Sequence, residues 1–204
     1  MMKVQDVMTL APVIPVLVIE DVAHAVPIAQ ALVAGGLPAL EVTLRTSAAL
    51  EVIREMRQVD GAVVGAGTVL NPRDLDAAME AGARFIVSPG LTDPLAKAAI
   101  ESKVAFLPGT ANAGDIMRGL DLGLTHFKFF PAMTNGGVPA LRALAAPLSV
   151  ARFCPTGGIT PVSAPEWLAI PEVLCVGGSW LVPNGRPDAE AIKSRAAAAA
   201  ILAG

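Results

Sequence analysis

The segment ALEVTLR, residues 39–45, alternates apolar and polar side chains, and this alternation decides how the chain folds. Successive side chains of a strand point to opposite sides, so Glu41, Thr43 and Arg45 share one face. The valine and both leucines share the other face. A strand in an all-parallel sheet is normally apolar on both faces. We therefore expect the apolar face to pack on helices and the polar face to point into a barrel, towards its C-terminal mouth.

Similar apolar runs recur along the chain, and each is followed by an Ala- and Leu-rich stretch of helical period. The eight runs are PVIPVLVI from Pro12, ALEVTL from Ala39, AVVGAG from Ala62, RFIVS from Arg84, VAFLPG from Val104, THFKFF from Thr125, ARFCPTGG from Ala151 and VLCVGG from Val173. Their starts lie roughly 20 to 27 residues apart, which suits one strand and one helix per unit. The pattern predicts an α/β fold, a single compact (β/α)8 TIM barrel over residues 1–204, with a short N-terminal helix before the first strand.

The competing fold is an open doubly wound sheet, in which a Gly-rich dinucleotide-binding loop follows the first strand. The turn after the first run, Glu20-Asp21, contains no glycine, which favours the barrel. Helix signals between the runs agree with this organisation. For example, Asn71 and Pro72 predict the start of a helix that ends at Gly82.

Composition excludes several other classes of protein. With 204 residues, 53% of them apolar and 16% charged, the chain has material for a large core and is not disordered. Its most apolar stretch, residues 10–19, is too short to span a membrane and is broken by Pro12 and Pro15. A net charge of −3 and scarce aromatics argue against nucleic-acid binding. No secretory signal is visible. The two cysteines, Cys154 and Cys175, cannot form a disulfide scaffold, so we expect reduced thiols in a cytoplasmic protein.

A lysine interrupts the aromatic run FKFF, residues 127–130. By strand parity Lys128 shares the interior face with His126 and Phe130, and the other two phenylalanines face the helices. Burying a charged ammonium group is costly, and a neutral amine in an apolar pocket is what a Schiff-base nucleophile needs. The alternative is an edge-strand lysine that extends to water, but a closed barrel has no edge strand.

The polar face of the second run also requires an explanation. Active sites of barrels lie at the C-terminal mouth, so Glu41 and Arg45 are candidate functional residues there. The alternative is an internal Glu41–Arg45 ion pair with only a structural role. Burying charge for stability alone is rarely favourable, which argues for the functional interpretation.

The last two runs end in TGG, residues 156–158, and GGS, residues 177–179. Glycines let backbone N–H groups approach an anion closely, and barrels often bind phosphate after strands seven and eight. We therefore expect a phosphate site there, although glycine pairs also occur in ordinary turns. Thr68, at the end of the third run, adds a hydroxyl at the same mouth or caps a helix.

The two histidines, His24 and His126, are not at metal-ligand spacing from each other or from a cysteine pair, so we expect no metal and no cofactor. We expect His24 to face solvent in the first helix and His126 to be a hydrogen-bonded core histidine. The cysteines are expected to be inert core residues, and Trp167 and Trp180 to be packing residues.

Six segments form a motif set that covers nearly the whole chain, from about Pro12 to Pro183. They are GGLPALEVTLRT at 35–46, VGAGTVLNP at 64–72, SPGLTDP at 88–94, FKFFPA at 127–132, FCPTGGI at 153–159 and CVGGSWLVP at 175–183. This set resembles the 2-keto-3-deoxy-6-phosphogluconate (KDPG) aldolases, which are class I aldolases of the Entner–Doudoroff pathway. Many of these enzymes also act on 4-hydroxy-2-oxoglutarate (KHG).

The resemblance implies a compact (β/α)8 barrel, a homotrimer, no metal and a Schiff base on Lys128. It implies that Glu41 is the acid/base and that Arg45 and Thr68 bind the substrate carboxylate. Further substrate-binding positions implied are Thr156, Phe130 and Pro89. The phosphate-binding positions implied are Gly157, Gly158, Gly178 and Ser179.

The reaction implied is cleavage of KDPG into pyruvate and D-glyceraldehyde 3-phosphate, so the expected partners are small 2-keto acids and aldehydes. One alternative is a KHG aldolase with side oxaloacetate decarboxylase activity. The other is a catalytically silent phosphate-binding or assembly barrel. The chain departs from the family pattern at Met133, where FFPAE is common, and in the loop 108–112. We expect both to influence which aldehyde is accepted.

Overall fold

The computed structural model describes residues 2–183 and 185–202, so the outer limits of the predicted domain lie outside the described residues. The strands are β1 Val13–Leu17, β2 Ala39–Thr43, β3 Val63–Gly67, β4 Phe85–Val87, β5 Ala105–Leu107, β6 Gly109–Thr110, β7 His126–Phe129, β8 Arg152–Pro155 and β9 Val176–Gly178. The α-helices are α1 Val4–Met8, α2 Ala25–Ala34, α3 Ala49–Met56, α4 Pro72–Ala81, α5 Asp93–Ser102, α6 Ala113–Asp121, α7 Gly137–Ala145, α8 Ala164–Leu168 and α9 Ala189–Ala200. None of these helices in the described part of the chain is long and apolar enough to cross a membrane.

The strands alternate with helices and pair in parallel, which confirms the predicted α/β class with a parallel sheet. Within the described residues, the hydrogen bonds form a six-stranded sheet, β5-β4-β3-β2-β1-β9, and a three-stranded sheet, β6-β7-β8. They do not form the single uninterrupted ring of eight strands that was expected. Two isolated parallel bridges, Phe153↔Val173 and Thr156↔Gly177, connect the region of β8 with that of β9.

The interruption between the two sheets has a local cause in the fifth run. Pro108 lies between β5 and β6, and proline has no N–H group to donate to a neighbouring strand. Its carbonyl oxygen still accepts a hydrogen bond of 2.8 Å from the backbone N–H of Lys128. This hydrogen bond holds β7 next to Pro108, at the point where the hydrogen-bonded strands divide into two sheets.

The two faces of the strands pack into two separate apolar clusters. Leu40 and Val42 of β2 belong to the large cluster between the strands and the helices. Ala39, on the opposite face, belongs to a smaller cluster with Phe85 at the start of β4 and Met8 of α1. The short helix α1 therefore covers the N-terminal ends of the strands on the face that carries Glu41. The alternation predicted for residues 39–45 is confirmed.

The predicted boundaries of α4 are also confirmed. The Asn71 side chain accepts a hydrogen bond of 3.0 Å from the backbone N–H of Asp74, and Pro72 occupies the first turn. The helix ends at Gly82, whose φ of 98° lies in the left-handed region that glycine adopts without steric cost. These local signals fix where the chain leaves β3 and where it returns towards β4.

Candidate active site

A cavity of about 340 Å³ lies at the carboxyl ends of the strands. Its lining residues are Val16, Glu41, Thr43, Arg45, Thr68, Pro89, Lys128, Phe130, Thr156, Gly157, Gly158, Ile159, Gly177 and Ser179. Almost all are strand ends or the residues that directly follow them. The cavity is therefore at the end of the sheet where enzymes with parallel strands place their active sites.

The structure brings together every predicted site residue except Gly178. Gly178 is buried behind the lining, and the ring of Trp180 packs against it, while Gly177 faces the cavity. Sequence reasoning did not select Val16 or Ile159. Val16 could have been found by strand parity in the first run, whereas nothing in the sequence pattern marks Ile159.

The centre of the cavity is a buried contact between two charged side chains. Nζ of Lys128 on β7 lies 3.1 Å from Oε1 of Glu41 on β2. The two side chains are only 7% and 4% exposed. The expectation of an interior lysine is confirmed, and the alternative of a lysine that extends to water is wrong.

The alternative of an internal Glu41–Arg45 ion pair is also wrong. Glu41 pairs with Lys128, and Arg45 is exposed at the mouth, with no ion pair among the described residues. Arg45 follows the end of β2, where the chain has already left the interior of the sheet. Its guanidinium group can therefore meet an anion that enters the cavity.

An aromatic ring completes the surroundings of the lysine. Nζ of Lys128 lies 5.2 Å from the centre of the Phe130 ring, within the range of a cation–π contact. Desolvating two charges costs free energy that their attraction barely offsets, so such a pair is weak evidence for stability. The arrangement instead provides an amine with a carboxylate in direct contact, which is what proton transfer to and from that amine requires.

Thr43 and Thr156, two of the three threonines in the lining, differ in their hydrogen bonds. The Thr43 hydroxyl donates to the Leu17 carbonyl at 2.9 Å, which links β2 to β1. The Thr156 hydroxyl makes only long contacts, 3.4 Å to the Cys154 carbonyl and 3.8 Å to the Cys154 Sγ, so it can also meet a ligand in the cavity. Gly177 on the neighbouring strand makes room for it, because a Cβ there would overlap Oγ1 of Thr156.

Backbone conformations at the mouth are unusual at three lining positions. Gly157 and Gly158 have φ values of 107° and 76°, which expose the backbone without a side chain in the way. Thr68 has a φ of 58°, a strained value for a β-branched residue. Strain of this kind concentrates at ligand-binding sites, where it fixes a functional group in place.

The histidines lie away from the cavity lining. His24 ends a short 3-10 helix, Val22–His24, where it is half-exposed beside Asp21 at 3.9 Å. His126 is half-buried, and its Nδ1 lies 3.0 Å from the Thr125 hydroxyl. Burial, and then the charge of Arg152, lower the pKa of His126. Among residues 2–183 and 185–202, no group of three or more His, Cys, Asp or Glu side chains is placed to hold a metal ion.

Two free cysteines lie beneath the site. Cys154 and Cys175 are both buried and belong to the same small apolar cluster. A hydrogen bond with Cys154, burial, and then the charges of Cys154 and Glu41 raise the pKa of the Cys175 thiol well above its usual value. A raised pKa keeps the thiol protonated, which fits the expectation of inert core residues.

The fold and the cavity together define an α/β enzyme with a buried lysine–carboxylate pair at the carboxyl ends of its parallel strands. The family described as KDPG and KHG aldolase matches residues 4–195, and the chain belongs to this family. It is 63% identical over 196 residues to a 2-dehydro-3-deoxy-phosphogluconate aldolase of Zymomonas mobilis, a match that covers 96% of this chain and 94% of that protein. The resemblance seen in the motifs is thereby confirmed.

Solved structures agree with the family assignment. The KDPG aldolase of Zymomonas mobilis ZM4 with 3-phosphoglycerate superposes with a TM-score of 0.97 at 62% identity, covering 98% of this chain and 95% of that one. The KDPG aldolase of Legionella pneumophila superposes with a TM-score of 0.94 at 40% identity, covering 98% of both chains. In that structure pyruvate is captured as a covalent carbinolamine intermediate.

The state of the cysteines leads to a first prediction. Because the Cys175 pKa is raised and both thiols are buried, iodoacetamide at pH 8 should leave Cys154 and Cys175 unmodified in the folded protein. The same treatment in urea should label both, as peptide mass mapping would show. Rapid labelling of the folded protein at either position would contradict the structure.

Proposed function

We propose that this protein is a class I aldolase that cleaves KDPG into pyruvate and D-glyceraldehyde 3-phosphate, a step of the Entner–Doudoroff pathway. The observation that carries the proposal is the buried contact of 3.1 Å between Lys128 Nζ and Glu41 Oε1 at the centre of the cavity. Family membership and 63% identity to a 2-dehydro-3-deoxy-phosphogluconate aldolase support the same reaction.

The first chemical step forms a covalent bond between lysine and substrate. Glu41 takes a proton from Lys128, and the free amine attacks the C2 carbonyl of the keto acid. Glu41 then protonates the carbonyl oxygen, and the carbinolamine loses water to give an iminium ion. The Phe130 ring, 5.2 Å from Nζ, is placed to stabilise this cation. The carbinolamine of pyruvate in the Legionella relative supports the step.

The second step breaks the carbon–carbon bond. The iminium ion withdraws electrons from the C3–C4 bond while Glu41, directly or through a water, removes the proton of the C4 hydroxyl. The bond breaks, its electron pair forms an enamine, and the aldehyde leaves as D-glyceraldehyde 3-phosphate. The enamine then takes a proton at C3, and hydrolysis of the resulting imine releases pyruvate and frees Lys128.

The two anionic groups of the substrate are assigned to opposite sides of the cavity. Arg45 and Thr68 follow β2 and β3 and are proposed to bind the carboxylate, with Arg45 donating two parallel hydrogen bonds. The phosphate is assigned to the carboxyl ends of β8 and β9. In the six-stranded sheet, β1 separates β9 from β2. The phosphate-binding positions proposed are Gly157, Gly158 and Ser179, which line the cavity, whereas Gly178 does not. Further substrate contacts are proposed for Thr156, Phe130 and Pro89, which line the cavity between them.

The proposal extends to the architecture and the assembly. We infer that the chain is one domain whose strands close into a (β/α)8 barrel. The pairing of β1 with β9 and the bridge Thr156↔Gly177 support closure on one side. On the other side, the chain runs directly from β5 to β6 through Pro108, which also supports closure of the barrel. A homotrimer is proposed from family membership, and a cytoplasmic location from the two free cysteines.

A second activity is favoured by one observation, because the family description names KHG aldolase beside KDPG aldolase. The same imine would cleave 4-hydroxy-2-oxoglutarate, or decarboxylate oxaloacetate, without any use of the phosphate positions. A catalytically silent barrel is disfavoured, because a scaffold does not require a buried Lys128–Glu41 contact with Arg45 at the mouth.

The proposed function predicts that Lys128→Ala abolishes release of pyruvate from KDPG, because no other lining residue that the structure describes carries an amine. A matched control is Lys97→Ala, which removes an exposed lysine on α5 and should leave turnover unchanged. Circular dichroism would show that both variants are folded. Turnover near that of the wild type in Lys128→Ala would contradict the mechanism.

The phosphate assignment predicts a selective effect of Ser179→Ala. Loss of a hydrogen bond to a charged group should lower kcat/KM for KDPG by about 10-fold or more. Cleavage of KHG, which has no phosphate, should change by less than about 2-fold. Ser194→Ala, on the exposed part of α9, serves as the control. Equal losses on the two substrates would overturn the assignment of Ser179 to the phosphate.

A further inference from the structure

Gly67, the last residue of β3, lies directly against the side chain of Glu41. A Cβ at Gly67 would overlap Oε1 of Glu41 and would lie 2.7 Å from its Cγ and 2.8 Å from its Cδ. Non-bonded carbon atoms reach their best separation only at about 3.5 to 4.0 Å. Any side chain at position 67 would therefore force the Glu41 side chain to move.

The strand register explains why the carboxylate lies over this glycine. The Cα of Glu41 is paired with Gly65, and the Cα of Thr43 is paired with Gly67. The Glu41 side chain thus leans along the strand direction, by two residues, towards the carboxyl end of the sheet. In this position its Oε1 reaches Nζ of Lys128 at 3.1 Å.

We propose that Gly67 is a positioning residue for the aldolase reaction, because its missing side chain sets the place of the Glu41 carboxylate beside Lys128. The kinetic part of this inference rests on the proposed function, whereas the geometric part does not. Gly67 carries no functional group of its own and acts only through the position of Glu41. The other glycine of β3, Gly65, faces the Phe85 ring instead of the catalytic pair.

Alanine at position 67 should change the site without unfolding the protein. The backbone of Gly67 is not in the left-handed region, so alanine can adopt it without strain. The atoms in the way belong to a side chain that borders a cavity of about 340 Å³ and has space to move. A misplacement of about 1 Å in a catalytic group can cost about 100-fold in rate.

The test is a double-mutant cycle on kcat with Gly67→Ala and Glu41→Gln. In the presence of Glu41, Gly67→Ala should lower kcat for KDPG by about 10- to 100-fold. In the Glu41→Gln background, which has lost the acid/base group, the same change should lower kcat by less than about 2-fold. An equal loss of kcat from Gly67→Ala in the two backgrounds would overturn the positioning role. So would an unchanged kcat in the single variant.

The matched control is Gly65→Ala, two residues earlier on the same face of β3. A Cβ at Gly65 meets the Phe85 ring, so this variant should lose thermal stability while its kcat stays within about 2-fold. A drop in kcat at Gly65→Ala as large as that at Gly67→Ala would overturn the specific role of Gly67. Failure of Gly67→Ala to fold would also overturn it, because the three atoms nearest to the new Cβ all belong to the Glu41 side chain.

A crystal structure of Gly67→Ala separates this inference from the proposed function. If the wild type does not cleave KDPG, the proposed function fails, and the position of Glu41 in the variant still decides the geometric claim. We expect Oε1 of Glu41 to move away from Nζ of Lys128 by about 1 Å or more, the displacement that costs activity. An unmoved Glu41 carboxylate would overturn the inference whatever the substrate is.

Discussion

The contact between Lys128 and Glu41 is the interaction on which the rest of the site depends. The two residues are 87 positions apart and come from different sheets, yet their side-chain atoms lie 3.1 Å apart. Burying two charges gives little net stability, because their desolvation offsets their attraction. The pair is explained by chemistry, since the amine requires a base in contact and rigid strands hold both groups in place.

The interior face of the strands changes from apolar to polar within two residues. Ala39 of β2 packs with the small cluster that α1 covers, and Glu41 already lies in the cavity. Cys154 and Cys175 fill the layer beneath the site with small, uncharged side chains. This division lets one set of short strands supply both an apolar core and a charged site.

Strand parity was sufficient to predict that Glu41 and Lys128 share the interior and that leucine and valine neighbours face the helices. It was not sufficient to predict the partner of Glu41, because parity gives the side of a strand and not the distance across the cavity. The break at Pro108 was missed because apolar periodicity does not count backbone donors. The role of Gly67 was equally invisible, since it depends on the register between β2 and β3.

The role of Lys128 is tested most directly by reduction with borohydride in the presence of pyruvate, followed by peptide mass mapping. The measurement asks whether the buried amine of Lys128 forms an imine, which every later step of the mechanism requires. We expect one reduced pyruvate adduct, on the peptide that contains Lys128. A folded protein with no adduct, or with an adduct on another lysine, would contradict it.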